Sequence, residues 1–80
     1  MRTVYLLQSL SDPTQRYVGT TCNFGRRLEE HNSGNSPHTS KSRPWKAVVV
    51  IQFEDDSKAD HFEEYLKSGS GHEFSKKHFW

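Results

Sequence analysis

The chain opens on an apolar and aromatic run, Val4-Tyr5-Leu6-Leu7, that ends in turn-forming residues, Ser9, Ser11, Asp12 and Pro13. Apolar character resumes at Tyr17-Val18-Gly19-Thr20, and two such runs on either side of a turn cluster predict a β-hairpin. From Cys22 the period changes. Phe24 and Leu28 stand four apart among charged neighbours, and Asn32-Ser33-Gly34 closes the stretch, so a helix is predicted over 22–32. Residues 35–45 are polar, carry Pro37 and Pro44, and show no period. A segment of that length in so short a chain reads as a functional loop or, more plainly, as a connector. Lys46 to Phe53 is apolar and β-branched enough to predict a strand buried on both faces for part of its length. Asp56 and Ser57 offer an N-cap to a helix that reaches Ser68 and stops at Gly69. Ser70 and Glu73 have capping-box spacing, which predicts a last short helix over 71–79.

The resulting order, β-β-α-β-α-α without a repeat, predicts an α+β fold: a small three-stranded antiparallel sheet flanked by helices. At 80 residues and 9.3 kDa the chain supports one core, so residues 1–80 are read as a single domain. Aromatic residues reach 12% although the hydrophobic fraction is only 31%, which points to a core of a few large side chains instead of disorder. Phe74, Phe79 and Trp80 are expected to pack the last helix. No apolar run approaches the roughly 18–20 residues of a membrane span. The N-terminus also lacks the layout of a secretion signal. The expectation is a soluble, cytoplasmic protein with no membrane partner.

Cys22 is the single cysteine, which excludes an intramolecular disulfide and any zinc site built on two or more thiolates. It reads as a small packed residue near a helix start. The histidine spacings fit no zinc pattern, and His38, His61, His72 and His78 read as surface. A net charge of +1 neither announces nor forbids a polyanionic partner, so only its distribution is informative. Arg26, Arg27, Lys41, Arg43 and Lys46 crowd 26–46, whereas 54–64 holds six carboxylates against Lys58 alone.

Helical geometry singles out particular side chains. With Phe24 and Leu28 marking the buried direction, His31 falls about 20° from Phe24 and Arg27 about 60° from it, while Glu29 and Glu30 point elsewhere. A cation and an imidazole at the margin of a packed face are not ordinary solubilising residues. On the second helix Ala59, Phe62 and Leu66 form an apolar stripe, and Glu63 lies inside its arc, about 40° from Ala59, with Glu64 about 140° away. A carboxylate there needs a cation, a metal or a hydrogen-bond donor. Tyr17 and Gly19 share one sheet face, and Gly19 leaves space beside the Tyr17 hydroxyl. Each of these residues also has a plain reading: Tyr5 as a core tyrosine with its hydroxyl at the rim, His31 as a cation at a helix C-terminus.

Thr3-Val4-Tyr5, Tyr17-Val18-Gly19, Arg27 with His31, and Glu63 in Glu63-Glu-Tyr-Leu-Lys67 together resemble the GIY-YIG nuclease superfamily, most closely its stand-alone branch. The stretches 27–34, 36–41 and 43–45 resemble that branch too. The resemblance implies cleavage of a phosphodiester with one divalent metal ion, Mg²⁺ or Mn²⁺, held by Glu63. It also implies Arg27 stabilising charge on the scissile phosphate, Tyr5 and Tyr17 activating or positioning water, and His31 bonded to a phenol. A tyrosine acting as base near neutral pH needs its pKa lowered, which a guanidinium and a metal would favour. Thr3 replaces the family's first glycine, and no asparagine follows Asn35 to contact phosphate, so phosphate binding falls to loop residues such as Lys41 and Arg43, with Arg26 and Lys46 beside them. The expected function is a metal-dependent endonuclease acting on DNA or structured nucleic acid, with a protein partner to supply specificity. The alternative is a nucleic-acid-binding module of the same fold that cuts poorly or not at all.

Overall fold

A computed structural model describes all residues 1–80. Strands β1 (Arg2–Ser9) and β2 (Arg16–Thr21) lead into helix α1 (Phe24–Ser33). A 3-10 turn at Ser40–Ser42 precedes strand β3 (Trp45–Phe53), and helices α2 (Asp56–Leu66) and α3 (Gly69–His78) complete the chain. The order is β-β-α-β-α-α and the architecture α+β, as the hydrophobic pattern predicts. All strands are antiparallel, in the order β2-β1-β3.

Register follows from the hairpin. Tyr5 opposes Gly19 and Leu7 opposes Tyr17, with Gln8 facing Arg16 across residues 9–15. That connection has an odd number of residues, so odd positions of the two strands share one face. On the even face Val4 and Leu6 pack with Ala59 and Leu66 of α2, joined by Phe74, Phe79 and Trp80 from the C-terminal end. On the odd face Tyr5, Leu7 and Trp45 pack with Tyr17 and with Phe24 and Leu28 of α1. Helices on both faces make β1 the doubly buried strand: Val4, Tyr5, Leu6 and Leu7 are all fully buried. Each such aliphatic side chain contributes roughly 1.5–3 kcal/mol of burial.

The expectation that 46–53 is buried on both faces is corrected here. β3 alternates and lies at a sheet edge, with Val50 45% exposed. Coverage by helices, not apolarity along the strand, decides burial.

Helix boundaries are set by caps. The Asn23 side chain accepts from the Arg26 N–H, and Gly34 ends α1 in the left-handed conformation at φ 86°, where a glycine is favoured. The cap of α2 is Asp55, whose carboxylate accepts from the Ser57 and Lys58 N–H groups, instead of the expected Asp56 or Ser57. Ser68 caps α3 by accepting from Gly71 N–H, so no capping box forms at Ser70 and Glu73. That earlier start closes the α2–α3 corner. A Cβ on Gly71 would overlap the Tyr65 carbonyl, so the corner admits only glycine at this place.

Residues 35–45 are not structureless. Thr39 is 1% exposed, Ser36 is buried, and the Trp45 indole N–H donates to the Thr39 carbonyl at 2.9 Å. Asn32 at the end of α1 holds β3 in place: its Oδ1 accepts from the Trp45 N–H at 2.6 Å, and its Nδ2 donates to the Trp45 carbonyl at 3.1 Å. The segment is thus fixed to the odd face at both ends. Cys22 is exposed, not packed.

Candidate active site

The odd face gathers four of the residues singled out from the sequence. Tyr5 and Tyr17 are brought together by register, with ring centroids 6.1 Å apart. Gly19 makes this approach feasible. A Cβ there would stand 2.7 Å from the Tyr5 hydroxyl and 2.8 Å from Cε2 of Tyr17. The expected open space beside Tyr17 is therefore filled by the phenol of Tyr5. His31 projects from α1 onto both rings, at centroid distances of 5.8 Å from Tyr5 and 4.8 Å from Tyr17.

His31 is fully buried and hydrogen-bonded at both ring nitrogens. Nε2 lies 3.0 Å from the Tyr5 hydroxyl and Nδ1 lies 2.8 Å from Oγ1 of Thr39. Thr39 Oγ1 also lies 3.5 Å from the Ser36 carbonyl, which accepts from the Thr39 and Ser40 N–H groups at 3.2 and 3.0 Å as well. We assign the threonine proton to that carbonyl. With that assignment the threonine oxygen accepts from Nδ1–H, and Nε2 is left to accept the Tyr5 proton. Burial, with the Arg27 charge second, holds His31 below its ordinary pKa, and Glu30 opposes this only in part. The imidazole is neutral at pH 7 and the relay runs from phenol to imidazole to hydroxyl.

Arg27 stands beside the two phenols. Its Nη1 donates to Glu30 Oε1 at 3.0 Å, so Glu30 joins this margin instead of pointing away. Burial alone would lower the guanidinium pKa, but Glu30 and both hydroxyls more than offset it and the group stays charged. For Tyr5 the balance goes the other way. Burial pushes its phenol up to about 12, the Tyr17 charge adds to this, and Arg27 offsets only part. Arg27 alone thus does not lower the Tyr5 pKa. Tyr5 is fully buried and hydrogen-bonded to His31, whereas Tyr17 is half-buried.

Glu63 lies on α2, which packs on the even face. As the helical angles require, it is half-buried, its side chain 17% exposed, and it pairs with Lys67 one turn later. Glu64 is exposed. A cleft around the free edge of β2 carries both Tyr17 and Lys67 on its wall, and Glu63 itself does not line it. No group of three His, Cys, Asp or Glu side chains exists that could cage a metal.

The four cations expected at phosphates, Arg26, Lys41, Arg43 and Lys46, are all exposed. Lys41 sits in the 3-10 turn that packs on α1. The Arg43 guanidinium folds over Gly34, at the negative end of the α1 dipole. Thr39 and Asn32 escaped sequence reasoning. A threonine in a polar aperiodic stretch has no signal of its own, and Asn32 resembled only a helix stop.

A family model described as the GIY-YIG catalytic domain matches residues 1–77. The structure-specific endonuclease subunit SLX1 of Debaryomyces hansenii is 37% identical over 82 residues, covering 94% of this chain and 22% of the relative. The protein of the same description in Talaromyces marneffei is 38% identical over 53 residues, 60% of this chain and 14% of the relative. That of Yarrowia lipolytica is 41% identical over 54 residues, 60% of this chain and 19% of the relative. The chain thus spans less than a quarter of the length of these curated relatives, at most 22%. With the family match running over 1–77 and the tyrosine pair, arginine and histidine converging as the motif order implies, the chain belongs to the GIY-YIG nuclease family as a catalytic domain.

Proposed function

We propose that this domain is a metal-dependent endonuclease that hydrolyses phosphodiester bonds in DNA. The observation that carries the reading is the convergence of Tyr17, Tyr5, His31 and Arg27 around Gly19. Arg27, charged and beside both phenols, stabilises the negative charge that grows on the scissile phosphate. Tyr17 orients the attacking water by accepting a hydrogen bond from it. Tyr5 holds Tyr17 and Arg27 in position, its own proton committed to His31 Nε2.

Glu63 fits a divalent ion. A single half-buried carboxylate, completed by a substrate phosphate and water, is the donor set that Mg²⁺ or Mn²⁺ accepts without a protein cage. The paired Lys67 side chain is 56% exposed and free to leave when a cation binds. Once bound, the ion supplies charge neutralisation at the phosphate and a more acidic water.

The relatives' names describe structure-specific endonuclease subunits. By extension we propose branched DNA as the substrate and a second protein as the source of targeting for this chain. Incubation with labelled duplex, single-stranded and flapped DNA, with and without Mg²⁺ or Mn²⁺, tests the reading. Metal-dependent internal cleavage is expected, and binding without cleavage in either metal would overturn it.

A further inference from the structure

The cleft at the free edge of β2 has a volume of about 640 Å³, within the roughly 300–1,000 Å³ of small-ligand sites. Its wall carries Arg16, Tyr17, Lys67, Lys76 and Trp80. Arg16 is the cation there that pairs with no carboxylate, whereas Lys67 is held by Glu63 and Lys76 lies 3.6 Å from Glu73. Instead the guanidinium lies over the Trp80 ring, 4.8 Å from its centroid. Trp80 in turn packs against the even-face core. A flat cation is thus held against an anchored indole, immediately before Tyr17 in the chain.

We propose that this cleft receives an unpaired nucleotide of the substrate next to the scissile phosphate, its base stacked on the Arg16 guanidinium plane. Guanidinium and aromatic planes are the surfaces on which splayed bases stack. Because the guanidinium already rests over Trp80, little side-chain freedom is lost on binding. A paired base cannot present its face to the cleft, so the plate selects for an unpaired strand beside the cut. The proposal rests on the nuclease reading above and names the part of the substrate that this site takes.

Binding is measured in EDTA by fluorescence anisotropy, on a duplex with a five-nucleotide thymidine flap and on the same duplex blunt-ended. Wild-type protein, Arg16→Lys, Arg16→Ala and Trp80→Ala are compared, each with its fold confirmed by circular dichroism. Both Arg16 variants should lose about 5- to 150-fold in flap affinity, the range for one stacked base, and stay within about twofold on blunt duplex. Trp80→Ala should follow them, since the plate is no longer held. If Arg16→Lys keeps wild-type affinity while Arg16→Ala loses it, Arg16 is a phosphate contact and the stacking proposal fails. If wild type binds flapped and blunt DNA alike in EDTA, and cuts both alike once Mg²⁺ is supplied, the proposal fails while the nuclease reading stands. Absence of binding and cleavage on every DNA form would remove the nuclease reading itself.

Discussion

The Tyr5 hydroxyl and His31 Nε2 lie 3.0 Å apart, joining the central strand to α1 across 26 residues of chain, with neither side chain more than 1% exposed. A buried pair of this kind has a protonation state tied to the fold. Titration should show it from both sides.

His31 is held below its ordinary pKa, so the unfolded chain binds its proton more readily than the folded one. Its contribution to stability is complete above about pH 6.5, the unfolded value, and is lost as pH falls toward the folded value. Tyr5, pushed from 10.0 up to about 12, contributes below pH 10 and loses that contribution as pH rises toward 12. Urea denaturation of wild type and His31→Gln should give midpoints that converge on acidification below pH 6.5. A constant gap would show that His31 does not titrate differently in the two states.

Thr39→Val keeps the shape of the side chain and removes the acceptor for His31 Nδ1–H. The stranded donor should cost about 1–3 kcal/mol of stability, and Thr39→Ser should restore most of it. Nitrogen NMR of the imidazole separates this from a packing loss. Wild type should show Nδ1 protonated, and Thr39→Val should shift the population toward the other tautomer with a loss of cleavage rate.

The elements of this fold are legible because hydrophobic period and caps are local. Phe24 with Leu28 and Ala59 with Leu66 mark the faces that bury His31 and Glu63, and both side chains are where those angles place them. The hairpin register is legible as well, since Tyr5 and Tyr17 share a face when the connection is odd. Partners brought by distant segments are not legible. Nothing in 35–45 announces that Thr39 will reach back to His31, and an apolar run such as 46–53 does not reveal that it lies at a sheet edge. The one-residue shift of a cap to Asp55 and the two-residue shift to Ser68 reflect competition among adjacent polar residues, and at Ser68 the close meeting of α2 and α3 at Gly71 accompanies the earlier start.

Two glycines are close-packed for different ends, and alanine should separate them. Gly19→Ala collides with the phenols of Tyr5 and Tyr17, which can move. It should lower the cleavage rate far more than it lowers stability. Gly71→Ala collides with the backbone of Tyr65 and should cost about 1–3 kcal/mol or more in the melt. Its rate at a temperature where the variant is folded should be close to wild type. Equal rate losses in the two variants would mean that Gly19 serves only the fold.

Glu63 and Glu64 are adjacent, yet one is half-buried beside Lys67 and the other exposed. Calorimetric titration with Mn²⁺ in the presence of uncleavable DNA should lose its signal in Glu63→Gln and keep it in Glu64→Gln. Similar losses in both would assign the ion to general electrostatics on α2.

The charges of α1 and of the loop should divide between catalysis and binding. Arg27 lies beside both phenols and is held by Glu30, so in the proposed reaction it would be preorganised toward the phosphate charge. Losing one such group removes transition-state stabilisation, and Arg27→Ala should lower the single-turnover rate by about 10²–10³ with little change in affinity. Lys41 and Arg43 are exposed, so their effect should appear in binding. A phosphate contact positions the strand without reading bases, and each one removed should lower the salt slope by about one unit across all sequences. Arg43, folded over Gly34, should contribute less than Lys41 to that slope and more to the stability of α1. Affinity measured against salt for Lys41→Ala and Arg43→Ala, beside melts and the Arg27→Ala rate, decides each assignment. A rate loss in Arg27→Ala accounted for wholly by weaker binding would make that arginine an anchor, because a group that stabilises only the transition state leaves the ground-state complex intact.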